Sequence, residues 1–188
     1  MARRDQLGEV LETTVTYLEM TSPPRRPATP APLGKLAVMR AELPTVSFYR
    51  YLYNTVGEAW NWSERRRLDD EAMRAIIRHP EVLIYVLYAA GVPAGFAELD
   101  LRRAGEVELA YFGLTPEYVG RGLGAYLLDW AVAAAWTRKP KRVWVHTCTL
   151  DHPRALSLYQ RAGFVVYKRR VEKVERLVPV TLARNAEK

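Results

Sequence analysis

Residues 119 to 130 read VGRGLGAYLLDW, and this stretch limits the possible folds more than any other. Glycines stand at Gly120, Gly122 and Gly124. A strand-like run, GEVELAYFGL, precedes them, and an apolar helical run follows from about Leu123 to Thr137. A strand, a glycine turn and a helix in this order bring several backbone N–H groups to one helix N-terminus, which suits a phosphate-bearing ligand. Three ligand classes use such a loop: nucleoside triphosphates, dinucleotides and coenzyme A.

The neighbouring residues separate the three. A triphosphate loop needs Lys and then Ser or Thr after its last glycine, whereas Ala125 and Tyr126 follow here. Gly120-Arg121-Gly122-Leu123-Gly124-Ala125 fits the dinucleotide pattern by letter. That fold also wants an acidic residue at the end of the next strand to bind a ribose, and RVWVHTC has none. It usually opens with this unit, yet here the unit comes after three or four strands. The third class, coenzyme A, remains open at this point.

The rest of the chain bounds the answer. Its 188 residues, 49% of them hydrophobic, suffice for one compact domain with a real core. No apolar run is long enough to span a bilayer, and MARRDQLGEVLETT lacks the apolar stretch of a signal peptide. A cytoplasmic location fits. Cys148 is the single cysteine, so no intrachain disulfide can form and a cysteine-based zinc site is not expected; no metal is implied. The net charge of +7 favours polyanionic partners. The basic residues come in short clusters without an aromatic-basic signature, so a solvated cationic surface is expected and nucleic-acid binding is not.

Five prolines between residues 21 and 34 rule out regular helix or central strand there and mark a linker or wrapping arm. Before it, TTVTYLEM is expected to add an edge strand. After it the order reads β, α, α, β, β, β, α, β, α, β, with a hairpin turn at Gly91-Val92-Pro93 and one parallel crossover in residues 106 to 149. The expected architecture is α/β (α+β): a mixed, mostly antiparallel sheet of six to seven strands with helices on both faces. The expected division is an arm and linker at 1–34, a main domain at 35–172 and a C-terminal extension at 173–188.

Two stretches resemble the motifs of the GCN5-related N-acetyltransferase (GNAT) superfamily. The first is Val119-Gly120-Arg121-Gly122-Leu123-Gly124, which is similar to that family's coenzyme A motif except that Val119 stands at a polar position. The second is DHPRALSLYQRAGF, where Ala155, Leu158, Tyr159, Gly163 and Phe164 match the family's last motif and His152 stands where Asn is usual. The resemblance covers about residues 35 to 172. It implies the GNAT fold, acetyl-CoA as co-substrate, and an amine acceptor, either a small molecule or a peptide N-terminus or lysine. Homodimers are common in such a family. It also implies that residues 120–125, Gly120 through Ala125, cradle the pyrophosphate by backbone N–H groups, with Arg121 adding a cation, and that His152 contacts the pantetheine or caps the following helix.

Acetyl transfer to an amine needs a base, a stabiliser for the tetrahedral oxyanion and an acid for the departing thiolate. The resemblance implies Glu108 as the base, on the strand before the loop. Strand alternation puts Glu106, Glu108, Ala110 and Phe112 on one face, and Glu106 or a water chain could serve instead. Backbone N–H groups near Phe112, Gly113 and Leu114 are the expected oxyanion stabilisers, at a place where the family's strand bulges. Tyr159 is the implied acid, since its phenol stays protonated near neutral pH. His146 and Cys148 share a strand face, so a cysteine nucleophile is conceivable, although no third group accompanies them. The aromatics Phe48, Tyr49, Tyr51, Tyr53, Trp60 and Trp62 fall where the acceptor wall is expected. The alternative reading is a non-catalytic acyl-CoA-binding sensor or partner-binding module.

Overall fold

A computed structural model describes residues 6–178. Seven strands form one sheet in the order β2-β3-β4-β5-β6-β1-β7. These are β1 (Gln6–Met20), β2 (Leu36–Arg40), β3 (Val82–Ala89), β4 (Val92–Asp100), β5 (Glu106–Leu114), β6 (Arg142–Cys148) and β7 (Val165–Val178). Every neighbouring pair is antiparallel except β5 and β6. The expected mixed sheet is thus present, with the single parallel crossover at the expected place.

Helices cover both faces. On one side lie α1 (Val46–Gly57) and α2 (Asp70–Ile77), whose buried Tyr49, Leu52, Met73 and Ile77 meet Val82, Ile84 and Phe96 of the sheet. Each starts on a side-chain cap: Thr45 accepts from the Phe48 N–H and Asp69 from the Ala72 N–H. On the other side lie α3 (Leu123–Trp136) and α4 (Ala155–Ala162), which bury Leu128, Ala131, Val132 and Ala162 against Leu18, Val107, Leu109 and Val145. Helix α3 is apolar over most of its surface, with Asp129 its one charged residue. Among the described residues no helix is long and apolar enough to cross a membrane.

Two expectations change. The TTVTYLEM segment is not an edge strand: β1 runs between β6 and β7, pairing Val15–Met20 with Val143–Cys148 on one side and most of its length with β7 on the other. Leu18 is accordingly fully buried, and β7 is joined to the sheet only through β1. The sheet therefore extends on both sides of the 35–172 span. The hairpin turn also moves. It is formed by Ala90 and Gly91, both with positive φ, which is the backbone twist a two-residue hairpin prefers. Val92 and Pro93 already belong to β4.

The proline-rich segment straps the strand β1 to the rest of the domain. Arg26 forms an ion pair with Asp129 of α3, and Thr29 donates both its N–H and its hydroxyl to the same carboxylate at 2.7 Å. Burial alone would raise the Asp129 pKa, but these donors hold it below the ordinary value. The strap ends beside the glycine turn, where Pro32 approaches Gly122.

Leu18→Ala should cost about 2–5 kcal/mol, the usual range for a buried leucine, lowering the melting temperature by roughly 4–20 °C. Val10→Ala, on the same strand but exposed, should shift it little. A dispensable β1 would leave both variants alike in thermal unfolding.

Candidate active site

The site follows from a short parallel ladder. β5 and β6 pair only at Glu106–Arg142, Val107–Val143 and Glu108–Trp144. Beyond that point β5 stays with β4 and β6 stays with β1, so the two strands part like a fork. A cleft of about 1040 Å³ opens between them. That is the upper end of the range for ligand sites and leaves room for two reactants.

A register shift lies within β5: Glu98 pairs with Tyr111 and Leu99 with Leu109, which leaves Ala110 as an extra residue. This bulge reverses the alternation beyond it. The expected shared face of Glu108 and Phe112 is therefore corrected. Phe112 joins Val107 and Leu109 on the α3–α4 side, and Tyr111 turns to the α1 side, where it packs on Tyr53 and Trp62. Gly113 follows at a point of close approach. A Cβ there would lie 2.4 Å from Val56 Cγ1 of α1, so only glycine lets α1 sit on the strand.

Glu108 lines the cleft at the fork, with its Oε1 3.4 Å from His146 Nδ1. Burial pulls the His146 pKa down, but the hydrogen bond and charge of Glu108 outweigh it and the net shift is upward. Its side chain is still 41% exposed because it faces the open cleft. Glu106 is placed differently: it is not part of the cleft lining, and Arg142 bridges it to Glu19 at 3.1 and 2.9 Å. Tyr159, on α4, also lines the cleft and packs edge-on against Phe112 and Phe164. Its hydroxyl has no hydrogen-bond partner among the described residues. Burial, and then the charge of Asp151, push its pKa above the ordinary tyrosine value.

The glycine turn closes the other end. Gly120 and Gly122 both have positive φ, and Gly122 caps α3 without a side chain. The N–H groups of Gly120, Arg121 and Gly122 have no acceptor among the described residues. Gly120, Gly122, Gly124 and Ala125 all lie on the cleft wall. The side chains of Arg121 and Leu123 do not: the Arg121 guanidinium rests on the Tyr118 ring, and Leu123 is buried in the core. Arg154, just before α4, and Arg161 of α4 stand on the wall instead. His152 does two things at once. Its Nδ1 accepts from the Arg154 N–H at the start of α4, and its ring meets Trp60 within the cleft.

Of the six aromatics near α1, Tyr53, Trp60 and Trp62 line the cleft, while Tyr49 is core, Phe48 packs partly buried against that core and Tyr51 is exposed on the surface. Tyr49 donates to Glu98 at 2.5 Å, and Arg65 reaches the same carboxylate at 2.6 Å. The Arg65 guanidinium also lies over the Tyr111 ring, and Tyr111 donates to Glu64 at 2.6 Å. Cys148 lies on the cleft, but burial and the Asp151 charge push its thiol up, away from the thiolate a nucleophile needs. Among the described residues no three His, Cys, Asp or Glu side chains converge to hold a metal ion.

Sequence reasoning missed the residues of β1 and β7 that floor the cleft, Tyr17, Tyr167 and Lys168 among them. It also missed the pairing of His146 with Glu108. The alternation of Trp144, His146 and Cys148 is a usable signal for the first half of that pair, whereas no local pattern announces β1.

The profile of the acetyltransferase (GNAT) family matches residues 43–164. The chain belongs to this family. No curated protein matches it. Among solved structures it is similar to a GNAT-family N-acetyltransferase from Sphaerobacter thermophilus, at 23% identity and a TM-score of 0.60 over 93% of this chain and 54% of that one. It is also similar to a conserved protein of unknown function from Staphylococcus epidermidis, at 13% identity and a TM-score of 0.57 over 90% and 64%. A third is an aminoglycoside acetyltransferase from an uncultured soil sample, at 18% identity and a TM-score of 0.55 over 68% and 87%. The chain thus spans just over half to about two thirds of the length of the first two. These likenesses are of fold.

The Glu108–His146 contact has a thermodynamic signature. A raised imidazole pKa means that the folded state favours the charged ring. The contact therefore stabilises fully below the ordinary histidine value of ~6.5 and fades as pH rises through the folded value. Glu108→Gln should lower the melting temperature most at about pH 5–6, with the gap closing above the folded pKa. A gap that widens toward alkaline pH would show that the contact works differently.

Proposed function

We propose that this GNAT acetyltransferase transfers an acetyl group from acetyl-CoA to a primary amine by direct attack, with both substrates bound together in the fork. The observation that carries the reading is the common cleft: Glu108 at the fork, Tyr159 on the wall and the glycine turn at the far end all face one space. The residues present suit the co-substrate. Free N–H groups at the start of α3 match a pyrophosphate, and the unpaired β5 edge beyond Glu108 matches an extended pantetheine arm.

The roles of the side chains follow from their places. Glu108, coupled to His146, takes the proton that the amine sheds as its nitrogen bonds to the thioester carbonyl carbon. Backbone N–H groups of the bulged segment up to Leu114 stabilise the carbonyl oxygen as charge grows on it. Tyr159, kept protonated by burial, gives its proton to the sulfur as the C–S bond breaks. No acyl-enzyme is needed, and the raised thiol of Cys148 argues against one.

Acetyl-CoA and CoA should each raise the melting temperature while NADH and ATP do not, since a ligand at ~100 Kd adds ~2.7 kcal/mol to folded-state stability. Tyr159→Phe should lower kcat by about 10²–10⁴ with little change in CoA affinity. Full turnover by this variant across pH would remove Tyr159 from its role. Stabilisation by acetyl-CoA without acetylation of any amine would favour a non-catalytic acyl-CoA-binding module.

A further inference from the structure

The cleft has a second half, from which the transfer chemistry draws only His146. Beyond the fork, β6, β1 and β7 present one sheet face to the cleft. Residues on that face alternate: Trp144 and His146 on β6, Tyr17 on β1, and Lys168 on β7, the last directly opposite Tyr17. The rings form a continuous floor. Tyr17 lies 6.5 Å from Trp144, 5.8 Å from His146 and 6.2 Å from Tyr167, measured between ring centroids.

Charge is unevenly spread over this floor. At the fork stand two carboxylates, Glu64 and Glu108. Along the floor stand cations held above the rings: Arg103 at 5.7 Å from Trp144 and Lys168 at 5.4 Å from Tyr17. Neither has a carboxylate partner among the described residues. Arg142 is different, because Glu19 and Glu106 neutralise it. One further carboxylate, Glu172, lies on the floor and accepts from the Tyr17 hydroxyl at 3.5 Å. Two buried donors on this side, Trp144 Nε1 and Arg142 Nε, also lack an acceptor among the described residues.

We infer that the acceptor is an amine that also carries an aromatic ring and an anionic group. Its ammonium is drawn to the Glu64–Glu108 end, its ring lies on the Tyr17–Trp144 floor, and its anion meets Arg103 and Lys168. Each part has its own physical cause: charge pairing at both ends and ring packing between them. The inference rests on the acetyl-transfer reading for the direction of the amine, but its recognition is testable without turnover.

The test uses calorimetric binding of four amines to the CoA-loaded protein, so that no transfer occurs. They are 4-(2-aminoethyl)benzoate, with ring and carboxylate; phenethylamine, with the ring alone; 4-aminobutyrate, with the carboxylate alone; and 1,4-diaminobutane, with neither. The first should bind about tenfold more tightly than any other, the gain of one modest added interaction, and the advantage should shrink with salt. In Arg103→Met/Lys168→Met it should fall to the level of phenethylamine, whose own affinity stays the same. Both side chains are exposed, and an unchanged melting temperature verifies the fold. Equal binding of all four, no binding of any at millimolar concentration, preference for the diamine, or a double variant that keeps the advantage would each overturn the inference. Adding acetyl-CoA then separates the two claims. Selective binding without acetylated product sinks the transfer reading and leaves the recognition standing, while product formed best from the diamine does the reverse.

Discussion

The parallel ladder between β5 and β6 stops after three residue pairs, and the whole site depends on that stop. Each strand remains paired with its outer neighbour: β5 with β4 up to Leu114, and β6 with β1 up to Cys148. Twist then carries them apart, because nothing ties the inner edges together. The Ala110 bulge sharpens the divergence and sends Tyr111 and Phe112 to opposite faces. One strand segment thereby supplies both walls of the cleft, with Phe112 backing Tyr159 and Tyr111 backing Trp62 and Glu64.

Beneath the bulge lies the one fully buried carboxylate of the described residues. Glu98 on β4 faces the bulge and holds Tyr49 and Arg65. Burial raises its pKa against the pull of Arg65. Burying such a pair has a desolvation cost that its attraction offsets only with good geometry, and the Arg65 Nε–H has no partner among the described residues. What the pair does achieve is position. Arg65 spans from Glu98 in the core to the Tyr111 ring, so the segment that carries Glu64 is pinned against the bulged strand. Removing either charge would leave the other buried and alone.

The glycine turn, the crossover and the two motif stretches were legible because each is local: positive φ at Gly120 and Gly122 and the Leu158-Tyr159 pattern are written in consecutive residues. What could not be read depends on pairing across long separations. TTVTYLEM looks the same whether one or both of its edges are bonded, so its place between β6 and β7 leaves no mark in its composition. Period-two alternation holds for Glu106 and Glu108 but fails for Phe112, since a single extra residue at Ala110 inverts every later position. The motif implies Arg121 as a cation beside phosphates, and no local pattern announces that its guanidinium rests over the Tyr118 ring.

The span matched by the family profile, 43–164, ends just before β7 and omits β1 entirely. It contains Glu108, the glycine turn and Tyr159, at one half of the cleft, and the fork-side part of the floor, Trp144 and His146. It lacks Tyr17, Tyr167, Lys168 and Glu172, which floor the rest of the other half. The two halves are also built differently. The first rests on a crossover that the chain forms within about 40 residues, whereas the second requires the chain's two ends to pair with each other over most of β1. Membership in the family therefore speaks to the fork and the glycine turn. The proposed acceptor floor, by contrast, draws on the matched span through Arg103, Trp144 and His146 and on the strands outside it through Tyr17 and Lys168.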